Sequence, residues 1–188
     1  NGSSRSISRG FRAIARARKK QPDLKIRLIL TCKLRDHANP GAYRTAAASR
    51  LVTQLGIQDE VVELGAVPYR SLHHVYRTCD LYVTPAYTET FAHPLVEAMA
   101  SGLPVLASDL PVHREVCGPF ATYFPRFSHQ ALADRILDFA ASPSPRPSPA
   151  AIDRFSWRNH AEQILALAVD LSGASPSESA WKFKTQMV

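Results

Sequence analysis

Two glutamates eight positions apart, Glu89 and Glu97, are the residues of this chain best suited to chemistry. They lie in the stretch Thr84-Pro-Ala-Tyr-Thr-Glu89-Thr-Phe-Ala-His-Pro-Leu-Val-Glu97-Ala-Met-Ala-Ser-Gly102-Leu-Pro-Val-Leu-Ala-Ser108. Pro94 suits the first position of a helix, where its missing N–H costs nothing. That puts Thr90, Phe91, Ala92 and His93 at the helix mouth. Unpaired backbone N–H groups and the positive dipole end gather there, which is an anion-binding arrangement. A diphosphate fits it. The two carboxylates flank the spot as acceptors suited to the hydroxyls of a sugar or a ribose.

The elements that must position these groups follow from periodicity. Arg5, Arg9, Arg12, Arg16 and Lys19 form one stripe, with Ile7, Phe11 and Ile14 on another face, so residues 4–20 read as an amphipathic helix. Residues 24–32 read as a strand and 41–55 as a helix closed by Gly56. Further strands are expected over 61–64, 80–84, 104–107 and 121–124. Helices are expected over 69–78, 94–101, 111–116, 128–140 and 156–171. Leu72, Val75 and Tyr76 point inward from the helix over 69–78. Strands alternating with helices over short connections predict an α/β fold, a Rossmann-like doubly wound parallel sheet that binds ligands beyond its C-terminal strand ends. One domain is expected over 1–171, followed by a loosely ordered tail over 172–188. No strand precedes the first helix in these residues, so the chain is expected to be a piece of something longer.

Composition narrows the classes. The chain has 188 residues, 45% of them hydrophobic, which suits a globular domain. No run approaches the roughly 20 apolar residues that span a bilayer. Cys32, Cys79 and Cys117 are odd in number and far apart, which argues against a disulfide scaffold and a zinc site. A reducing cytoplasm is the expected compartment. The net charge is +7, and eleven Lys and Arg against one acid fall within residues 1–35. No aromatic interleaving accompanies that charge, so nucleic acid is not expected. An exposed helix face is the default reading of the stripe, and peripheral contact with an anionic membrane at its inner face is the alternative. His73 and His74 point apart on a helix, and no carboxylate cluster for a divalent ion stands out.

The central segment resembles the E-x7-E signature of retaining, GT-B-type glycosyltransferases of the large family 4 group (glycosyl transferases group 1). That wording runs close to E-G/T-F-G-x-P-x-x-E-A-M-A-x-G-x-P-V-x-A-S. Phe91, Pro94, Ala98-Met-Ala100, Gly102, Pro104-Val105 and Ser108 all match it. Leu64-Gly-Ala-Val67-Pro resembles the family's strand and loop at the nucleobase. Leu72 to Val83 resembles its L-x-x-x-Y-x-x-C-D-L-x-V element, Glu115-Val-Cys-Gly118 its E-V-x-G turn, and Phe155-Ser-Trp157 its F-S-W before a last helix.

The resemblance implies a nucleotide-sugar-binding half of a GT-B enzyme, without its first strand and N-terminal domain. It implies transfer of a sugar from a nucleotide diphosphate donor to an unknown acceptor, with retention, and with no metal and no other cofactor. On that resemblance Glu89 is expected to contact the donor sugar, as the catalytic candidate, and Glu97 to accept the ribose hydroxyls. It likewise implies that backbone amides of Thr90, Phe91, Ala92 and His93 hold sugar and diphosphate, that Val67 meets the base, and that Arg5 falls near the position of the family's diphosphate-binding Lys. Ala92 stands where the family has glycine. If that glycine serves close approach to the sugar, the methyl group crowds it. The alternatives are a GT-B-type epimerase or phosphorylase, or a non-catalytic nucleotide-sugar-binding module.

Overall fold

The computed structural model describes residues 2–39, 45–147 and 152–172, with side chains from residue 6 to residue 171. The first residues of the helix expected over 41–55 and almost all of the expected tail lie outside the described residues. Two compact units are present, 1–151 and 152–188. The second holds α7, Trp157–Ser172, after a 3-10 turn at Asp153–Phe155. Ser156 opens α7, its hydroxyl accepting the Asn159 N–H at 3.2 Å.

In the first unit, helices α1 (Gly2–Lys20), α2 (Ala46–Leu55), α3 (Tyr69–Thr78), α4 (His93–Ala100), α5 (Pro111–Cys117) and α6 (His129–Ala141) alternate with strands. The strands are β1 (Leu28–Leu30), β2 (Val61–Glu63), β3 (Tyr82–Thr84), β4 (Val105–Ser108) and β5 (Ala121–Phe124). β1 pairs with β2, and β3, β4 and β5 form a second group, all parallel. The expected single sheet is thus two hydrogen-bonded sets. In the doubly wound order 3-2-1-4-5-6, strand 1 separates strand 2 from strand 4. In that order strands 3 and 2 are neighbours, as are strands 4, 5 and 6, a grouping like the pair and the triplet here.

The strand expected over 24–32 forms a ladder only at Leu28–Leu30. Its partner begins at Val61, after a 3-10 turn at Gln58–Glu60, so among the described residues the earlier ones have no strand to pair with. β4 is buried along its whole length, as a central parallel strand with both faces covered must be.

α1 sits between two clusters of the core. Phe11 is fully buried with Leu34, Ala48, Val52 and Ile57. Ala13, Ile14 and Ala17 pack with Leu106, Phe124, Leu132, Ala133 and Ile136. The small residues at 13, 17 and 133 let α1 and α6 approach closely. The expected basic stripe holds for Arg12, Arg16 and Lys19, which are exposed. Arg9 departs from it: this residue is half-buried and Nη1 donates to the Pro85 carbonyl at 3.4 Å. Arg18 and Lys20 face neighbours, pairing with Glu60 and Asp134.

Cys117 is fully buried; Cys32 and Cys79 are half-buried, and burial raises both of their thiol pKa values. Among the described residues no helix is long and apolar enough to cross a membrane.

Candidate functional site

The parallel register of β3, β4 and β5 brings Pro85, Asp109 and Pro125 to one edge of their sheet, just past Thr84, Ser108 and Phe124. The loop from Pro85 to Ala92 leaves β3 at that edge and feeds α4. A polar clasp fixes its root. The buried Ser108 hydroxyl donates to the Ala86 carbonyl at 2.8 Å. His113 Nδ1 lies 2.7 Å from the Ser108 carbonyl, which can only accept, so Nδ1 carries the proton.

α4 starts one residue earlier than its proline suggests, with His93 first and Pro94 second. Ala92 caps it in the left-handed conformation, φ 65° and ψ 54°. Glycine adopts that conformation freely, while an L-residue adopts it at a cost of about 1–2 kcal/mol. Backbone geometry is therefore a sufficient reason for a glycine at this position. The Ala92 methyl belongs to a residue only 6% exposed, so it packs against the protein. At the other end of α4, Gly102 takes φ 71°, its N–H bonds the Met99 carbonyl and the Leu103 N–H bonds the Ala98 carbonyl, a left-handed stop.

Glu97 is half-buried on α4, and its Oε2 accepts the Tyr76 hydroxyl from α3 at 3.0 Å. Tyr76 meets the edge of the Tyr82 ring at 5.8 Å and 72°. Burial raises both phenols well above their ordinary pKa; Glu97 raises both further, and Glu89 also raises Tyr82. Both carboxylates therefore bear on the Tyr82 phenol.

Glu89 is exposed in the loop, and its Oε1 accepts the Thr90 N–H at 3.0 Å. One of the amides expected to face a ligand is thus occupied by Glu89 itself. Thr90, Phe91 and His93 are exposed, and the Phe91 and His93 rings lie 4.7 Å apart. Val67 is half-buried between β2 and α3, after Gly65 at φ 84°. Arg5 belongs to α1, and its side chain lies outside the described residues.

The sequence reading missed Tyr82, the Ser108–His113 clasp and the role of Tyr76 toward Glu97. The signal for Tyr76 was a phenol on an inward helix face, which needs a partner when buried. It also missed a cluster beside the loop. The Tyr87 and Phe127 rings meet at a tilt of 57° with centroids 5.5 Å apart, and Arg9 and Arg126 lie over the Phe127 ring at 5.5 and 4.6 Å. A hollow of about 740 Å³ lies at the opposite end of β3–β5, beside Leu81, Pro104 and Ala121, away from both glutamates. Among the described residues no three His, Cys, Asp or Glu side chains cluster as metal ligands.

The parallel α/β architecture, with a loop leaving the C-terminal strand edge to feed α4, is that of the C-terminal region of a GT-B glycosyltransferase. Residues 11–155 match the family of glycosyl transferases group 1, and the chain belongs to that family. A D-inositol 3-phosphate glycosyltransferase of Stackebrandtia nassauensis is 30% identical over 178 residues, 89% of this chain and 40% of that protein. The chain thus spans less than half the length of this relative. Among solved structures, the C-terminal domain of a glycosyl transferase group 1 family protein from Francisella tularensis superimposes with a TM-score of 0.59 at 22% identity. That match covers 78% of this chain and 75% of the other. Anabaena HepE in complex with UDP gives a TM-score of 0.67 at 22% identity, over 86% of this chain and 44% of that one.

Proposed function

We propose that this chain binds a nucleotide diphosphate sugar and, within the full-length enzyme, transfers the sugar to an acceptor with retention at the anomeric carbon. The observation that carries the reading is Glu97, one turn into α4 and held by Tyr76, with Glu89 in the loop that feeds the same helix. Glu97 takes the ribose hydroxyls. Glu89 exchanges the Thr90 N–H for hydroxyls of the donor sugar, which frees that amide for the ligand. The amides of Phe91 to His93 and nearby cations stabilise the departing diphosphate, a charge that grows toward the transition state. Val67 meets the base and Arg5 the diphosphate. No metal or other cofactor takes part. The UDP bound by the Anabaena neighbour supports a nucleoside diphosphate as the handle.

Calorimetry with nucleoside diphosphates, beside transfer assays on the full-length enzyme, tests the assignment. Glu97→Ala is expected to weaken nucleotide binding; Glu89→Ala is expected to spare binding and slow transfer. Unchanged affinity in Glu97→Ala sinks the ribose role.

The reading extends to a cytoplasmic protein whose exposed Arg12, Arg16 and Lys19 rest on anionic headgroups. Co-sedimentation with phosphatidylglycerol vesicles, but not with phosphatidylcholine vesicles, is the expected result.

A further inference from the structure

We propose that Tyr76 is a positioning residue for the nucleotide, setting the orientation in which Glu97 receives the two ribose hydroxyls. The proposal rests on the reading of Glu97 as the ribose acceptor.

A glutamate on a helix has freedom about three side-chain bonds, and a carboxylate that must meet two vicinal hydroxyls at once cannot use most of it. Glu97 is anchored from below by its backbone, because its carbonyl accepts both the Ser101 N–H at 3.0 Å and the Ser101 hydroxyl at 2.9 Å. Its carboxylate is anchored by Tyr76, which donates to Oε2 at 3.0 Å from the neighbouring helix. Tyr76 is only 9% exposed and its ring is fixed in turn against Tyr82. A rigid, buried donor therefore fixes one oxygen and leaves Oε1 free, among the described residues, to accept from a ligand.

The donor cannot change role. Burial and the Glu97 charge both raise the Tyr76 phenol, so it keeps its proton wherever Glu97 is ionised. A phenol in this state has one O–H to give, and Glu97 takes it.

A merely structural bond between α3 and α4 and a positioning bond differ in what they do to ligand selectivity. The first affects stability alone. The second affects the ratio of affinities for a ribonucleotide and its 2′-deoxy counterpart, since that ratio depends on where Glu97 points. UDP, ADP and GDP are titrated into the full chain by calorimetry, and each nucleotide that binds is compared with its 2′-deoxy form. Tyr76→Phe is expected to weaken ribonucleotide binding roughly tenfold, the scale of a lost hydrogen bond to a charged group, and to bring the ratio toward one. Tyr76→Met, which fills a buried site without a hydroxyl, is the second variant should Tyr76→Phe fold poorly, and the same loss is expected.

If Tyr76→Phe keeps the wild-type ratio while Glu97→Gln loses it, Tyr76 is structural only and the proposal is overturned. If Glu97→Gln also keeps both affinity and ratio, the ribose reading of Glu97 fails, and the proposal falls with it. Binding of none of the three nucleotides by the wild-type chain has that same consequence.

Discussion

Replacing Ala92 with glycine isolates the backbone strain at the head of α4. The comparison needs a control, and Ala98 supplies one: it is fully buried within the same helix. Each Ala→Gly change removes one buried methyl, about 0.8 kcal/mol. Each also gives the unfolded chain freedom that folding must remove, about 0.5–1 kcal/mol. Ala98→Gly is therefore expected to lose roughly 1.3–1.8 kcal/mol. Ala92 differs because it holds φ 65° and ψ 54°. Its replacement also relieves about 1–2 kcal/mol of left-handed strain, so Ala92→Gly is expected within about 1 kcal/mol of the parent. Urea unfolding of both variants, read at unchanged slope, measures the difference. The left-handed cap accounts for a gap between them of about 1–2 kcal/mol. If Ala92→Gly loses as much as Ala98→Gly, the helix does not begin through that conformation, and the reason given for a glycine here is wrong.

Ser108→Ala leaves the Ala86 carbonyl without its 2.8 Å donor and is expected to cost about 1–3 kcal/mol while slowing transfer further than it weakens nucleotide binding; equal effects on both would detach the clasp from the loop's function. Phe11→Ala empties a fully buried site between α1 and α2 and is expected to cost about 3–5 kcal/mol, measurable by thermal or urea unfolding. His129 has its pKa lowered by burial and then by Arg12 and Arg16, so the unfolded chain takes up a proton first as pH falls through its ordinary 6.5. Stability is therefore lost on acidification below that point, and His129→Gln is expected to flatten this part of the melting profile between pH 8 and pH 5.

How much of this the sequence discloses depends on whether the cause is local. The bounds of α3 follow from Leu72, Val75 and Tyr76 repeating on one face, and the structure places the helix at Tyr69–Thr78 with those three turned inward. The ends of α2 and α4 follow from Gly56 and Gly102, both left-handed in the structure. The split of the strands into a pair and a triplet is not local, because pairing depends on which strand lies between others. Arg9 fits the exposed stripe by spacing alone, yet the loop after β3 draws it to the Pro85 carbonyl, 76 residues on. Ala92 shows both sides. Its mismatch with glycine is plain in the sequence, but whether the backbone or a ligand demands glycine is decided by a dihedral angle.

The same division governs the site. A tyrosine on a buried helix face must find an acceptor for its hydroxyl, so the sequence states that need at Tyr76. Glu97 is 21 residues away, on the helix of the next βα unit, and nothing in the spacing joins the two. They meet because β3 and β4 are neighbours in parallel register, which brings α3 and α4 side by side. A motif that matches residue by residue can therefore name an acceptor such as Glu97. What aims the acceptor comes from strand order, and that is why the aiming group, rather than the motif, is where a substitution elsewhere in the sequence is expected to alter nucleotide selectivity.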